Sequence, residues 1–109
     1  RELAMKIPGP YMKMKAEHPA LMRAYEAFGD ECAKAGPLDA RTVALVKLGI
    51  SLAAGLEGAS HSHTRKALEA GCAPEQLLHV AHLCAPTIGF PGMMRGRGWV
   101  AETIKEQGA

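Results

Sequence analysis

Leu56-Glu57-Gly58-Ala59-Ser60-His61-Ser62-His63-Thr64-Arg65-Lys66-Ala67-Leu68-Glu69-Ala70-Gly71 is the stretch on which the reading of this chain turns. It reads as a helix over about 59–70 that stops at Gly71. Glu57 and His61 stand four apart and share a helix face if the helix includes both. His61 and His63 stand two apart, which sends them to nearly opposite sides of a regular helix. Glu57, His61 and His63 therefore converge only if Gly58 breaks the helix or a second chain contributes. An imidazole titrates near neutral pH and exchanges protons with a carbon acid or a water. A carboxylate on its other nitrogen fixes the tautomer. Glu57–His61 and Glu57–His63 are thus the candidate acid–base pairs. The plainer reading makes Glu57–His61 a surface ion pair and His63 a hydrogen-bonded core residue.

Helical patterning continues on both sides. Upstream, Leu21, Met22, Tyr25, Phe28 and Cys32 recur at spacings of three and four, predicting a helix from Pro19 to about Ala35 with a one-sided apolar stripe. Asp39 caps a second helix running to about Leu56. Val43, Ala44, Leu45, Val46, Leu48, Ile50 and Leu52 point in every direction around it, which predicts burial on most faces. Downstream, a helix opens at Pro74-Glu75 and ends or kinks at Pro86. A last helix covers about 91–107, with Gly96 and Gly98 as candidate points of close backbone packing. Residues 1–17 read as an irregular arm, because Pro8-Gly9-Pro10 breaks an early helix, with Tyr11, Met12 and Met14 in one short helical turn or in an arm that packs on a neighbour. No stretch alternates with β-branched residues. The expectation is a single all-α domain over 1–109, a bundle of about five helices.

The block His63-Thr64-Arg65-Lys66-Ala67-Leu68-Glu69-Ala70-Gly71, the helix opening Ala73-Pro74-Glu75-Gln76 and the later Gly89-Phe90-Pro91 resemble carboxymuconolactone decarboxylases and alkylhydroperoxidase-D proteins over roughly 39–103. The resemblance implies helical protomers that pair and then form rings, often trimers or hexamers of paired subunits. The peroxidase branch of that family uses a Cys-x-x-Cys pair, a histidine four residues after the second cysteine, and a glutamate twelve residues before the first. Counted back from His63, the cysteine positions fall on Leu56 and Ala59, and the glutamate position on Ala44. That chemistry needs a low-pKa thiolate and a second, resolving thiol, and leucine and alanine supply neither. The decarboxylase branch lacks the cysteine pair and keeps the histidine. The resemblance thus implies histidine acid–base chemistry on a small organic acid or lactone, carried by His63 with His61 and Glu57, with no cofactor and no metal.

Other residues widen or narrow that expectation. Lys47 stands alone in an apolar helix, where it pairs with Glu57, binds an anionic substrate, or runs its stem out to solvent. His79 and His82 share a helix face at a metal-compatible spacing, but no third ligand is signalled nearby. A metal site built on Glu57, His61 and His63 is a competing reading, as is a non-catalytic binding or assembly module. Arg95 and Arg97 flank Gly96 and read as a solvated face. The three cysteines, Cys32, Cys72 and Cys84, include no Cys-x-x-Cys pair, which argues for reduced thiols in a cytoplasmic protein. A residual thiol peroxidase would have to work through Cys72 or Cys84.

The charge is close to balance, with 13 basic and 11 acidic residues interspersed and aromatics at 5%, so nucleic-acid binding has little support. The longest apolar run, Ile50 to Leu56, is far too short to span a membrane, and no secretory pattern opens the sequence. A chain of 109 residues leaves much apolar surface uncovered when folded alone. Together with the all-round apolar second helix, this predicts a homo-oligomer.

Overall fold

The computed structural model describes residues 9–109, and among them the architecture is all-α. Its elements are α1 (Gly9–Glu17), α2 (Pro19–Lys34), α3 (Ala40–Ala53), α4 (Glu57–Glu69), α5 (Pro74–Leu83), α6 (Ala85–Ile88) and α7 (Phe90–Glu106). The five expected helices are α2, α3, α4, α5 and α7. Two compact units divide the described chain, residues 9–38 and residues 39–109. No helix among the described residues is long and apolar enough to cross a membrane.

The first unit departs from expectation. Of the arm read as irregular, residues 1–8 lie outside the described residues, while 9–17 form α1. Pro10 does not break this helix because it sits in the first turn, where its missing N–H has no intrahelical partner to lose. Tyr11 hydrogen-bonds Glu26 through its hydroxyl, and Lys15 Nζ lies 3.4 Å from the same carboxylate, so α1 is tied to α2. His18 takes the N-cap position of α2 without a side-chain hydrogen bond. The apolar stripe of α2 is present but mostly uncovered: Met22 is buried, while Leu21, Tyr25 and Phe28 are 57%, 65% and 70% exposed.

In the second unit, Asp39 caps α3 as expected, its Oδ1 accepting the Thr42 amide at 2.8 Å. That hydrogen bond holds the Asp39 carboxyl below its usual range. Helix α4 begins at Glu57, two residues earlier than predicted, and runs through Gly58 without a break. It ends before Gly71, whose φ of +96° is a conformation that side chains disfavour. Gln76 Oε1 accepts the Ala73 amide at 2.7 Å and fixes the start of α5. Between α5 and α7 the chain makes the short turn α6, which the sequence reading had merged into a single break at Pro86.

The core lies where α3, α4, α5 and α7 meet, filled by Leu48, Leu52, Ala67, Leu68, Leu77, Ala81, Met93, Val100 and Ile104. Gly96 marks the close approach of α7 to α3, since a Cβ there would sit 3.1 Å from Leu52 Cδ2, whereas Gly98 faces open space. Helix α3 is not buried all round. Leu48, Ser51 and Leu52 are inside, but Val46 and Ile50 are 46% and 62% exposed.

Candidate functional site

Because α4 is regular through Gly58, Glu57, His61 and His63 do not converge within one chain. The helix sorts the two histidines onto different faces with different surroundings.

His61 faces α7. Its Nδ1 lies 2.5 Å from Thr103 Oγ1, and its Nε2 lies 3.4 Å from Glu57 Oε2 and 3.8 Å from Glu102 Oε1. The pairing with Glu57 is the one the i,i+4 spacing predicts. Glu102 and Thr103 come from some forty positions downstream, and nothing local in the sequence points to them. The order Thr–His–Glu has the connectivity of a nucleophile–base–carboxylate triad, but Thr103 is fully buried, so no substrate reaches its hydroxyl. Both ring nitrogens of His61 are engaged. The arrangement is a clamp between α4 and α7.

His63 sits on the side of α4 that the field of Lys47, on α3, reaches. Its ring is half-buried and makes no hydrogen bond among the described residues. Burial first, then the ammonium groups of Lys47 and Lys66, push its pKa from about 6.5 down to about 4. At neutral pH the imidazole is uncharged, with a lone pair available to a ligand and two cations nearby. The charge of Lys47 is felt at His63, and among the described residues Lys47 makes no ion pair with Glu57, which meets His61 instead.

The depressed pKa has a consequence for stability. Between about pH 6.5 and pH 4 the unfolded chain protonates this histidine while the folded one does not, so stability falls as the pH drops through that window. Complete burial would make the loss larger; with the ring half in solvent, about 1–2 kcal/mol is expected. Urea midpoints at pH 7.5 and 4.5 should show a smaller acid-induced drop in His63→Asn than in the parent chain. Equal drops in the two proteins would mean that the folded ring titrates like a solvated one.

The remaining candidates are placed as follows. His82 Nε2 accepts from Arg97 Nε at 3.1 Å, which ties α5 to α7 and occupies His82. His79 is exposed on α5. Arg95 stacks over Trp99 at 5.3 Å from the ring centroid. Among the described residues no group of three or more His, Cys, Asp and Glu side chains is arranged to hold a metal ion. Cys72 and Cys84 are buried, and burial raises both thiol pKa values, the reverse of what an attacking thiolate needs. Cys32 is exposed.

Sequence reasoning missed two buried polar residues. Arg65 is 8% exposed, with its pKa lowered by burial and partly restored by Glu106, and Gln107 is 6% exposed with both amide atoms unpartnered among the described residues. With His61 meeting Glu102 and Thr103, and Arg65 influenced by Glu106, α4 and α7 run in the same direction.

A groove of about 500 Å³ lies between α3, α5 and α6, and none of Glu57, His61 and His63 lines it.

Comparison with known proteins agrees with this architecture. No curated protein matches the sequence. Among solved structures, apo-lpg0406, a carboxymuconolactone decarboxylase family protein from Legionella pneumophila, superposes with a TM-score of 0.75 at 20% identity, over 92% of this chain and 88% of that one. At that identity the match speaks for the fold. The family model for the carboxymuconolactone decarboxylase family matches residues 19–102, which adds α2 to the segment on which the resemblance was first read. With that match spanning most of its length, the chain belongs to the carboxymuconolactone decarboxylase family.

Proposed function

We propose that the protein binds a small organic anion, a carboxylic acid or an acid-bearing lactone, beside His63 and moves a proton with that imidazole. One observation carries the reading: a half-buried, uncharged and unpartnered imidazole lies within the fields of Lys47 and Lys66. A carboxylate drawn to the two ammonium groups comes close to a base that is already deprotonated at neutral pH. Neither buried thiol takes part in this chemistry, since Leu56 and Ala59 stand where the peroxidase branch has its cysteines and burial raises the pKa of Cys72 and Cys84.

The same geometry fixes the test. A bound carboxylate offsets the two lysines and favours the imidazolium, so the pKa of His63 rises on binding. NMR titration of the histidine C2 protons, with and without saturating mono- and dicarboxylates and γ-lactone acids, should show a rise of about one unit for His63 alone. Absence of any shift across the series would sink the proposal. A second reading, binding without turnover, is favoured by the apolar residues at positions 44, 56 and 59. It gives the same NMR response with no product formed.

A further inference from the structure

Past the clamp of His61 on Thr103, α4 and α7 bring together a second pair of polar side chains. His61 and Arg65 stand four apart on α4, and Thr103 and Gln107 stand four apart on α7 and its C-cap. Four residues make about one helical turn. Because the two helices run in the same direction, Arg65 faces Gln107 one turn beyond the hydrogen bond of His61 to Thr103. The field of Glu106 at Arg65 agrees with that register.

Both side chains lie inside, at 8% and 6% exposure. Among the described residues neither amide atom of Gln107 has a hydrogen-bond partner. Arg65 makes no ion pair there either: Glu69 and Glu106, the acids nearest in register, are exposed and form no salt bridge with it. A guanidinium keeps its proton in a protein, so burial cannot neutralise it. A buried charge calls for a counter-charge, and a buried amide calls for partners. Three demands therefore meet at one place. Arg65 needs a negative charge, Gln107 Nε2 needs an acceptor, and Gln107 Oε1 needs a donor.

We infer that Arg65 and Gln107 form a binding site for a small oxyanion that keeps one hydroxyl hydrogen, of the hydrogencarbonate or hydrogenphosphate kind. Its charged oxygen accepts from the guanidinium, the strong form of such a contact. A second oxygen accepts from Gln107 Nε2, and the hydroxyl donates to Gln107 Oε1. Other small solutes leave a demand unmet. Water partners the amide and gives the cation no counter-charge. Chloride and nitrate bring the charge and no donor. The exposed remainder of Arg65 lies beside the end of α7, where helices fray, and this gives a small ion its way in. So small a ligand binds with a dissociation constant on the order of millimolar.

Proton–nitrogen NMR of the full chain tests this, following the Gln107 side-chain amide and the Arg65 Nε–H. The titrants are sodium hydrogencarbonate, phosphate, nitrate and chloride at constant ionic strength. The expected result is a saturable shift of both signals with hydrogencarbonate or phosphate, at least about tenfold tighter than with nitrate, because a site built around a hydroxyl rejects the analogue lacking it. The tighter of the two names the source. Arg65→Met keeps an apolar stem and removes the charge. It should abolish the shift at Gln107, while the melting temperature without added ion holds or rises. Gln107→Leu should bring the hydrogencarbonate and nitrate affinities together at Arg65. Equal weak responses to all four salts would mean an adventitious ion only, and no saturable response would leave water as the partner of the amide. Either result on the parent chain overturns the inference, as does an undiminished Gln107 shift in Arg65→Met. The signals belong to residues 65 and 107, so the outcome is independent of the reading of His63.

Discussion

His63→Ala is expected to lower turnover of any acid or lactone that this protein transforms by roughly a hundred- to ten-thousand-fold, the usual contribution of a positioned general base. Its melting temperature should stay within a few degrees of the parent. The ring makes no hydrogen bond among the described residues, so its removal orphans nothing. His61→Ala is the informative control, and it should behave in the opposite way. It strips Thr103 Oγ1 of its partner in a fully buried position, which costs about 1–3 kcal/mol, and it unfastens α4 from α7. Stability then falls while the His63 site keeps its imidazole and its lysines. Steady-state kinetics and thermal melts on the two variants separate the roles. Undiminished kcat/KM in His63→Ala would remove that residue from the chemistry. A His61→Ala variant that melts normally and loses all activity would transfer the role to the neighbouring ring.

The contrast between these two histidines shows how far the sequence could be read. Spacing alone placed Glu57 beside His61 and turned His63 away, because an i,i+4 relation is a property of one helix. What each ring meets on its far side depends on helices distant in sequence. Thr103 and Glu102 arrive from α7, and Lys47 from α3, and no periodicity within residues 56–71 contains that information. The helices themselves were legible from their caps and breakers: Asp39, Pro74 and Gly71 act where they were read to act. Pro10 was misread because proline is permissive in a first turn and disruptive only further in. The apolar girdle of α3 reads as buried on most faces, yet it leaves large side chains exposed, as does the one-sided stripe of α2. An amphipathic pattern records which face avoids water and does not say whether the cover comes from the same chain or from a second copy.

Helix α5 provides the measurement that tells those two kinds of cover apart. Leu77 and Leu83 are alike in composition and in helix, and the sequence does not rank them. In the fold, Leu77 is fully buried in the core, while Leu83 is 58% exposed on the wall of the groove. Leu77→Ala should cost about 2–5 kcal/mol, from lost transfer free energy and the cavity left behind. For a chain of this size that is a fall in melting temperature of roughly 10–25 °C, the same at every protein concentration. Leu83→Ala should change the stability of the isolated fold by less than about 0.5 kcal/mol, since exposed substitutions remove little packing. On the expectation of a homo-oligomer, its effect belongs to association. The parent chain, if it pairs through this groove, melts higher as its concentration rises, because a partner that binds only the folded state stabilises it by mass action. Leu83→Ala should flatten that dependence while melting near the parent at the lowest concentration. A Leu77→Ala chain that melts like the parent would mean that α5 does not pack into the core as described. A Leu83→Ala chain with the parent's full concentration dependence would place the contact between copies on another face.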